Sequence, residues 1–515
     1  MGAADSTTSP GRYGRLVWPA VVLCVAVHLL LASSDLTQVW LPDLEGWNGA
    51  LFSLAGQNDL RHGLIATRLG SALDAGQQPG PPHDYYVNHP PLVGLIVGAS
   101  FAVLGIHEWA ARLPFLLLSA ASVVLVFLLA ARALGAGPGL VAAAVYAVLP
   151  MSAKFGDMPC HEPVVTAFLL LAVWQLLGFL ANPCRPHAWG CLLALTVAQL
   201  TDWPGYYAAA GVALALVLTR PRSPANLRLA LGVLVAAAVV LALVLAHAYL
   251  VAGSLEALTS RFRLWTGLKE QPAYTTLSYL RRTAWHARDW FTPTACVLAA
   301  VGLGLALARR RLTLSRAAAL ALTVPALTHL ALFRLAAWAH EYWLFYFGPL
   351  AVLLVAVVAA ELLDRVRGRR ILQPAGAAVL VLAVLSCATW SVRYLQRADA
   401  SPDLAAHSHL LQLRPQLAAA PPLVLMALYP QIPWYLDLPY DYTPALTLTD
   451  LLPLPRGTIV TMHRVQFANW QRELASAGYR RMLPDDIYNC AFLIRERGPA
   501  DTPHRSACRR AGPLG

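Results

Sequence analysis

The residues able to do chemistry crowd into the stretch from Leu41 to Arg112. It reads LPDLEGWNGALFSLAGQNDLRHG, passes a polar, Gly/Pro-rich turn, and continues YYVNHPPLVGLIVGASFAVLGIHEWAARLP. The acids Asp43, Glu45, Asp59, Asp74, Asp84 and Glu108 and the histidines His62, His83, His89 and His107 lie there among aromatic residues. A carboxylate can take a proton from a hydroxyl, and an imidazole can orient an acceptor or ligate a metal. Asp43 is the leading candidate for the base, with Glu45 as its competitor. His83, Asp84 and His89 lie close enough in sequence to share a divalent ion, although loop histidines more often serve structure. The expected cofactor is therefore either none or one divalent metal.

Smaller constellations carry the same chemistry. KFGDMPCHEP holds Asp157, His161 and Glu162, and a helical segment would put Asp157 and His161 on one face. TDWPGYY holds Asp202 at the end of an apolar run, and AWAHEYWLFYFGP brings His340, Glu341 and Tyr342 to the head of an aromatic one. Any one of these is more simply a satisfied polar residue in a loop. Their convergence on one face is what points to a site. A basic stretch from Gly253 to Trp290 adds Arg261, Arg263, Lys269, Arg281, Arg282 and Arg288. One reading is an interfacial helix anchored by tryptophans. The other is a reception site for an anionic phosphate, which the planar guanidinium recognises in bidentate fashion.

The elements that must position these groups are membrane helices. The chain has 515 residues, of which 57% are hydrophobic and 13% charged, and its mean hydropathy is positive. This is the composition of an integral membrane protein. Its net charge of +12 comes mostly from arginines between apolar runs, where they set topology, so no nucleic-acid partner is expected. The eight cysteines show no CxxC pairing, and neither a zinc nor a disulfide framework is supported.

Runs approaching the roughly 20 apolar residues of a span recur near 17–32, 110–131, 138–153, 163–181, 187–201, 205–219, 229–251, 291–308, 317–336, 343–362 and 372–392. The expectation is an α-helical polytopic membrane protein of about eleven spans. Residues 91–106 are left out of the count. Including them would move every arginine-rich loop to the outside, against the positive-inside rule. With that segment lying at the outer face, the first loop (35–108) and the acids near Asp157 and Asp202 are extracytoplasmic. The membrane domain then covers 1–397. Beyond it, PLVLMALY, GTIVTM and NCAFLIRE alternate as strands around the amphipathic VQFANWQRELASAGY, predicting a small extracytoplasmic α/β domain over 398–497. Residues 498–515 read as a disordered tail.

An acid in the first outer loop, then NHPPLVG, then E-x-x-A-R-L from Glu108 to Leu113, a second acid at Asp157 and finally HEYWLFYFGP resembles the GT-C glycosyltransferases. The pattern is similar to the protein O-mannosyltransferase-like branch and to the aminoarabinose transferases of lipid A, over roughly residues 17 to 350. One departure is that the family often has adjacent Asp-Glu, whereas Leu44 separates Asp43 from Glu45. Which of the two stands for the family acid is left open. The resemblance implies a polyprenyl-phosphate-sugar donor, an acceptor hydroxyl on protein, lipid or glycan, and single displacement with inversion. The reaction would take place on the extracytoplasmic side of the plasma (inner) membrane, as part of building the cell envelope.

On this view Asp43, Glu45 and Asp157 are the candidate catalytic acids. Substrate contacts are expected from His89, Glu162, Arg261, Arg263, Arg281, Arg282, His340 and Tyr342. The leaving group is already an anionic phosphate, so holding charge matters more than donating a proton. The rival is a polytopic transporter or lipid-binding protein, which should carry its ionisable residues at mid-span. Only His247, His329 and Arg334 come near that description.

Overall fold

The computed structural model describes residues 16–75, 84–219, 223–268, 274–308, 313–367, 369, 372–398, 404–418, 423–426, 429–443, 446–483, 486 and 490–496. The chain divides into two compact units. One comprises Met1–Leu73 with Gly80–Ser401, the other Asp74–Pro79 with Pro402–Gly515.

The first unit opens with α1 (Val17–Ala32), α2 (Leu44–His62), α3 (Leu92–Leu104) and α4 (Glu108–Leu134). Between α2 and α3, the short strand β1 (Ser71–Ala72) pairs antiparallel with β2 (Tyr85–Tyr86). Then come α5 (Ala136–Ala147), the short α6 (Pro150–Lys154), α7 (His161–Ala181), α8 (Arg185–Thr201), α9 (Pro204–Leu218) and α10 (Pro224–Ala252). The basic stretch folds as α11 (Glu256–Trp265) and α12 (Thr276–Phe291). The unit closes with α13 (Pro293–Ala308), α14 (Thr313–Leu332), α15 (Arg334–Ala339), α16 (Phe347–Val366) and α17 (Gln373–Ala398).

Each of the eleven expected segments is helical, but that at 138–153 is divided between α5 and α6, that at 317–336 between α14 and α15, and not all reach full length. Among the described residues, α4, α7, α10, α14, α16 and α17 are long and apolar enough to cross a membrane, and the bent pair α12–α13 adds a seventh if it forms one span. α1, α5, α8 and α9 run to only 16, 12, 17 and 15 residues. Hydropathy misses the punctuation here. Pro150, Pro186 and Pro204 sit in the first turn of α6, α8 and α9, where proline's fixed φ starts a helix and cannot continue one. The expected span at 317–336 likewise stops at Leu332, and the one at 343–362 begins only at Phe347, behind a 3-10 turn over Glu341–Leu344.

α3 has 13 residues, about 20 Å of helix, against a hydrocarbon core of about 30 Å. It lies against α2 at a glycine contact, where a Cβ on Gly56 would stand 2.7 Å from the Gly98 nitrogen. α2 is buried on most of its surface, including Glu45, Asn48, Asn58 and Asp59. Its ends are set locally. Asp43 caps the first turn through Gly46 N at 2.7 Å, and Gly63 at φ 83° ends the last.

The second unit is α/β. α18 (Leu404–Ala418) precedes β3 (Leu423–Leu425), followed by α19 (Gln431–Leu436), β4 (Tyr440–Tyr442), α20 (Leu448–Leu451) and β5 (Ile459–His463). α21 (Arg464–Ser476), β6 (Tyr479–Arg481) and β7 (Cys490–Arg495) complete it. The strand order is β4-β3-β5-β7-β6, with β3 parallel to both neighbours and β7 antiparallel to both of its own. The expected strands are β3, β5 and β7, and the expected helix is α21. Val424, Met426, Val460, Met462, Leu474 and Leu493 form its core. The tail expected over 498–515 lies outside the described residues.

Candidate active site

Asp43 stands at the mouth of α2. Its side chain is exposed, yet the surrounding protein and then Glu45 push its carboxyl up to about 6, against the Gly46 N–H, Lys154 and Arg112, which pull it down. Exposure and crowding are compatible for a group on a cleft, open to water on one side and ringed by protein on the others. A carboxylate with that affinity is ionised at neutral pH and basic enough to accept a proton.

Behind it lies a buried ionic cluster. Arg112, on the first turns of α4, donates through Nε and Nη2 to Glu45 Oε1 at 3.3 and 3.2 Å. It also donates to Gln38 O at 2.6 Å and stacks over the Trp40 ring at 3.9 Å. Lys154, at the end of α6, reaches Asp35 at 2.5 Å and Glu45 at 3.2 Å. Asp157 Oδ2 is 3.8 Å from Arg112 Nε. Arg112, Glu45 and Asp157 are 2%, 4% and 1% exposed. Asp35, Glu45 and Asp157 thus share two cations, and burial with Glu45 beside it raises the proton affinity of Asp157 well above the usual range. Glu45 is fully engaged, so the geometry distinguishes it from Asp43, which the sequence could not do. Trp40 in turn needs Gly49, where a Cβ would stand 2.1 Å from the indole ring.

Asp157 and His161 do not share a helical face as expected. Residues 155–160 form bends, and α7 begins only at His161, after Pro159 and the extended Cys160. The break sends the two residues to different clusters. His161 joins His89, whose ring centroid is 4.2 Å away. His89 Nδ1 lies 2.7 Å from the Tyr86 hydroxyl, and its Nε2 lies 3.5 Å from Asp202 Oδ1. Burial, and then Arg261, lowers the His89 imidazole to about 3, while burial and Glu162 raise the Asp202 carboxyl well above its ordinary value. Trp203 N and the Tyr346 hydroxyl donate to Asp202 at 2.7 and 3.3 Å. Glu162 is buried in the first turn of α7, and its Oε2 meets no hydrogen-bond partner.

Next to His89 is a cavity of about 250 Å³. Its walls are Tyr207, Leu245, Leu258, Phe262, Trp265, Phe333 and Trp343, and its polar groups include Asn88, His89, Thr259 and Arg261. Arg261 is the arginine of the basic stretch that lines it. Arg263 and Arg281 are exposed, Arg282 donates to His286 at 3.1 Å and stacks over Trp338, and Arg288 pairs with Asp289 at 2.7 Å. These do not join the cavity. His340 meets the cavity wall edge-on at Trp265, 5.5 Å between centroids, and stacks at 5.5 Å on Tyr342, which is buried.

Asp202 and His161, visible in the sequence but not among its candidate site residues, prove central here, as do Arg112, Lys154 and Asp35, which the sequence did not single out. A signal was present for two of them. Arg112 is the arginine of E-x-x-A-R-L, and Lys154 opens KFGDMPCHEP. A cation in an otherwise apolar helix implies a buried partner.

Its likeness to solved structures gives the chain the GT-C fold. Residues 88–250 match the family model described as dolichyl-phosphate-mannose-protein mannosyltransferase. The structure is similar to ArnT from Cupriavidus metallidurans bound to undecaprenyl phosphate, with a TM-score of 0.62 at 13% identity over 95% of this chain and 99% of that one. It is also similar to the apo oligosaccharyltransferase of Archaeoglobus fulgidus, with a TM-score of 0.59 at 12% identity over 90% and 71%. The arabinofuranosyltransferase AftD from Mycobacteria gives 0.51 at 15% identity over 93% and 40%. No curated protein matches the chain in sequence.

Proposed function

We propose that the protein is a glycosyltransferase of the inner membrane that moves a sugar from a polyprenyl-phosphate donor to an acceptor hydroxyl on the extracytoplasmic side. The observation that carries this is the cavity: an aromatic and aliphatic chamber of about 250 Å³ with Arg261 and His89 as its charged or ionisable wall. An isoprenoid chain suits the apolar wall, and a phosphate suits the guanidinium.

In this reading Arg261 holds the phosphate as the sugar–oxygen bond breaks, which stabilises the charge that develops there. Asp43 takes the proton from the acceptor hydroxyl as it attacks the anomeric carbon, giving inversion. Glu45, Arg112, Lys154 and Asp157 fix the N-terminus of α2 and thereby the direction of Asp43. His340 borders the cavity at Trp265 and stacks on Tyr342, and Glu162 is left without a role in transfer. Arg263, Arg281 and Arg282 are left to the membrane headgroups. The acceptor is a protein, lipid or glycan hydroxyl, and the sugar is a hexose or pentose.

The test is transfer by the purified full chain in lipid nanodiscs, offered polyprenyl-phosphate hexoses and pentoses with a panel of hydroxyl acceptors. Glycosylated acceptor together with released polyprenyl phosphate is the expected product. Binding of polyprenyl phosphate without transfer to any acceptor would contradict the proposal and favour a lipid-binding or transport role.

A further inference from the structure

The histidine cluster has a geometry that its own hydrogen bonds do not explain. His89 comes from the loop ahead of α3, His161 from the first residue of α7 and Asp202 from the cap of α8. One donor atom of each lies within 4.8 Å of the other two. The His89 Nε2 to Asp202 Oδ1 separation of 3.5 Å is long for a hydrogen bond. It is close to the about 3.3 Å edge of a tetrahedron built on metal–ligand bonds of about 2.0–2.1 Å. His161 is 3% exposed, its Nδ1 faces Cys160 Sγ at 3.5 Å, and its Nε2 is buried with no hydrogen-bond partner. Among the described residues no lysine or arginine pairs with Asp202.

From these we infer that His89, His161 and Asp202 bind one divalent transition-metal ion of zinc-like preference. Two imidazoles and one carboxylate are ligands that zinc-like ions take in sites that keep a coordination position open. Tyr86 holds the second nitrogen of His89, Trp203 N and Tyr346 hold the carboxylate of Asp202, and Phe52 packs edge-on against His161 at 5.1 Å. Such outer contacts orient metal ligands and tune their basicity. The His89 side chain is 20% exposed and that of Asp202 3%, and His89 lines the cavity. The open position is therefore reached from the cavity, where an anionic oxygen would find it. This inference does not depend on the transfer reaction, and its test reads the metal directly.

Purified full chain in detergent, stripped with a chelator, is titrated with Co²⁺ and followed by visible absorption. One equivalent of Co²⁺ should produce d–d bands, and one equivalent of Zn²⁺ should displace it. His161→Gln and Asp202→Asn should weaken Co²⁺ binding about 100-fold or more. Because those residues are buried, His89→Gln in its partly exposed loop serves as the variant that keeps the fold, checked by gel filtration, with the same loss expected. Cys160→Ser and Glu162→Gln should bind as the parent does. The inference is overturned if the stripped parent gives no d–d bands in excess Co²⁺, or if His89→Gln binds like the parent. Loss of binding in Cys160→Ser or Glu162→Gln alone would also overturn it, by placing the ion among Cys160, His161 and Glu162.

Discussion

The cluster around Arg112 and the cluster around His161 belong to the same unit and bury their carboxylates in opposite ways. Around Arg112, Glu45 meets a guanidinium and an ammonium, and Asp157 lies 3.8 Å from the same guanidinium although its Oδ2 makes no hydrogen bond. Around His161, Asp202 faces imidazoles, and Nε2 of His161 and Oε2 of Glu162 are left without partners. A buried charge costs several kcal/mol unless it is matched; the first arrangement sets cations of the chain beside its carboxylates, and the second, on our inference, takes its cation from outside. The first is a scaffold and the second a receptor. Asp43 belongs to neither: its side chain is exposed beside the first cluster, as the base proposed above requires.

Breaking the scaffold should have the largest effect. Arg112→Ala leaves Asp157 without its cation and Glu45 with Lys154 alone and removes the stack on Trp40, and the expected loss of stability is about 3–5 kcal/mol. Thermal unfolding in detergent reads it as a large drop in midpoint. His161→Gln in metal-stripped protein removes no paired charge, so its midpoint should move far less. Equal drops in the two variants would erase the distinction.

Next comes the cavity arginine. Arg261→Ala should weaken binding of a polyprenyl phosphate about 10- to 100-fold, the worth of a charged hydrogen bond of about 1.5–3 kcal/mol, with Arg261→Lys restoring part of it. Arg281→Ala, outside the cavity, should leave that affinity unchanged. A fluorescence or calorimetric titration distinguishes these outcomes.

The smallest effect is one of pH. With its carboxyl near 6, Asp43 would be deprotonated in about a tenth of molecules at pH 5 and about nine-tenths at pH 7, so kcat/KM should rise through an acid limb centred near 6. The same shift has a sign for stability. The folded state holds this proton more tightly than the unfolded chain, so the contribution is present below about 4 and is lost as pH rises through 6. Asp43→Asn, which keeps the helix cap, should therefore unfold at pH 7 no earlier than the parent. An acid limb that persists in active protein lacking Asp43 would assign it to another group.

Much of this was legible in the sequence because membrane helices and strands have strong periodicity. The segments at α4, α7, α10, α16 and α17, and the strands β3, β5 and β7, follow from apolar runs and alternation alone. The breaks were harder to read, since Pro159, Pro204 and Phe333 act through local backbone geometry that hydropathy averages away. The site was legible in residue type and only partly in partnership. Asp43 and Glu45 look equivalent two positions apart. Only folding shows that Glu45 points at Arg112, which is 67 residues away, while Asp43 turns back to cap its own helix. Similarly, nothing local distinguishes Arg261 from Arg263. Both are exposed, and the helical turn of α11 sets Arg261 alone of the two at the cavity.

Asp43 and Glu45 divide the labour in the proposed reaction, one as base and the other as its support. The direct measurement is the single-turnover rate of sugar transfer from a polyprenyl-phosphate donor by Asp43→Asn and Glu45→Gln, each normalised to folded protein. Asp43→Asn should lose about 10²- to 10⁴-fold while binding the donor as the parent does. Glu45→Gln should lose stability, yet its folded fraction should still turn over. A folded Glu45→Gln that is inactive beside an Asp43→Asn that transfers at the parental rate would contradict the account.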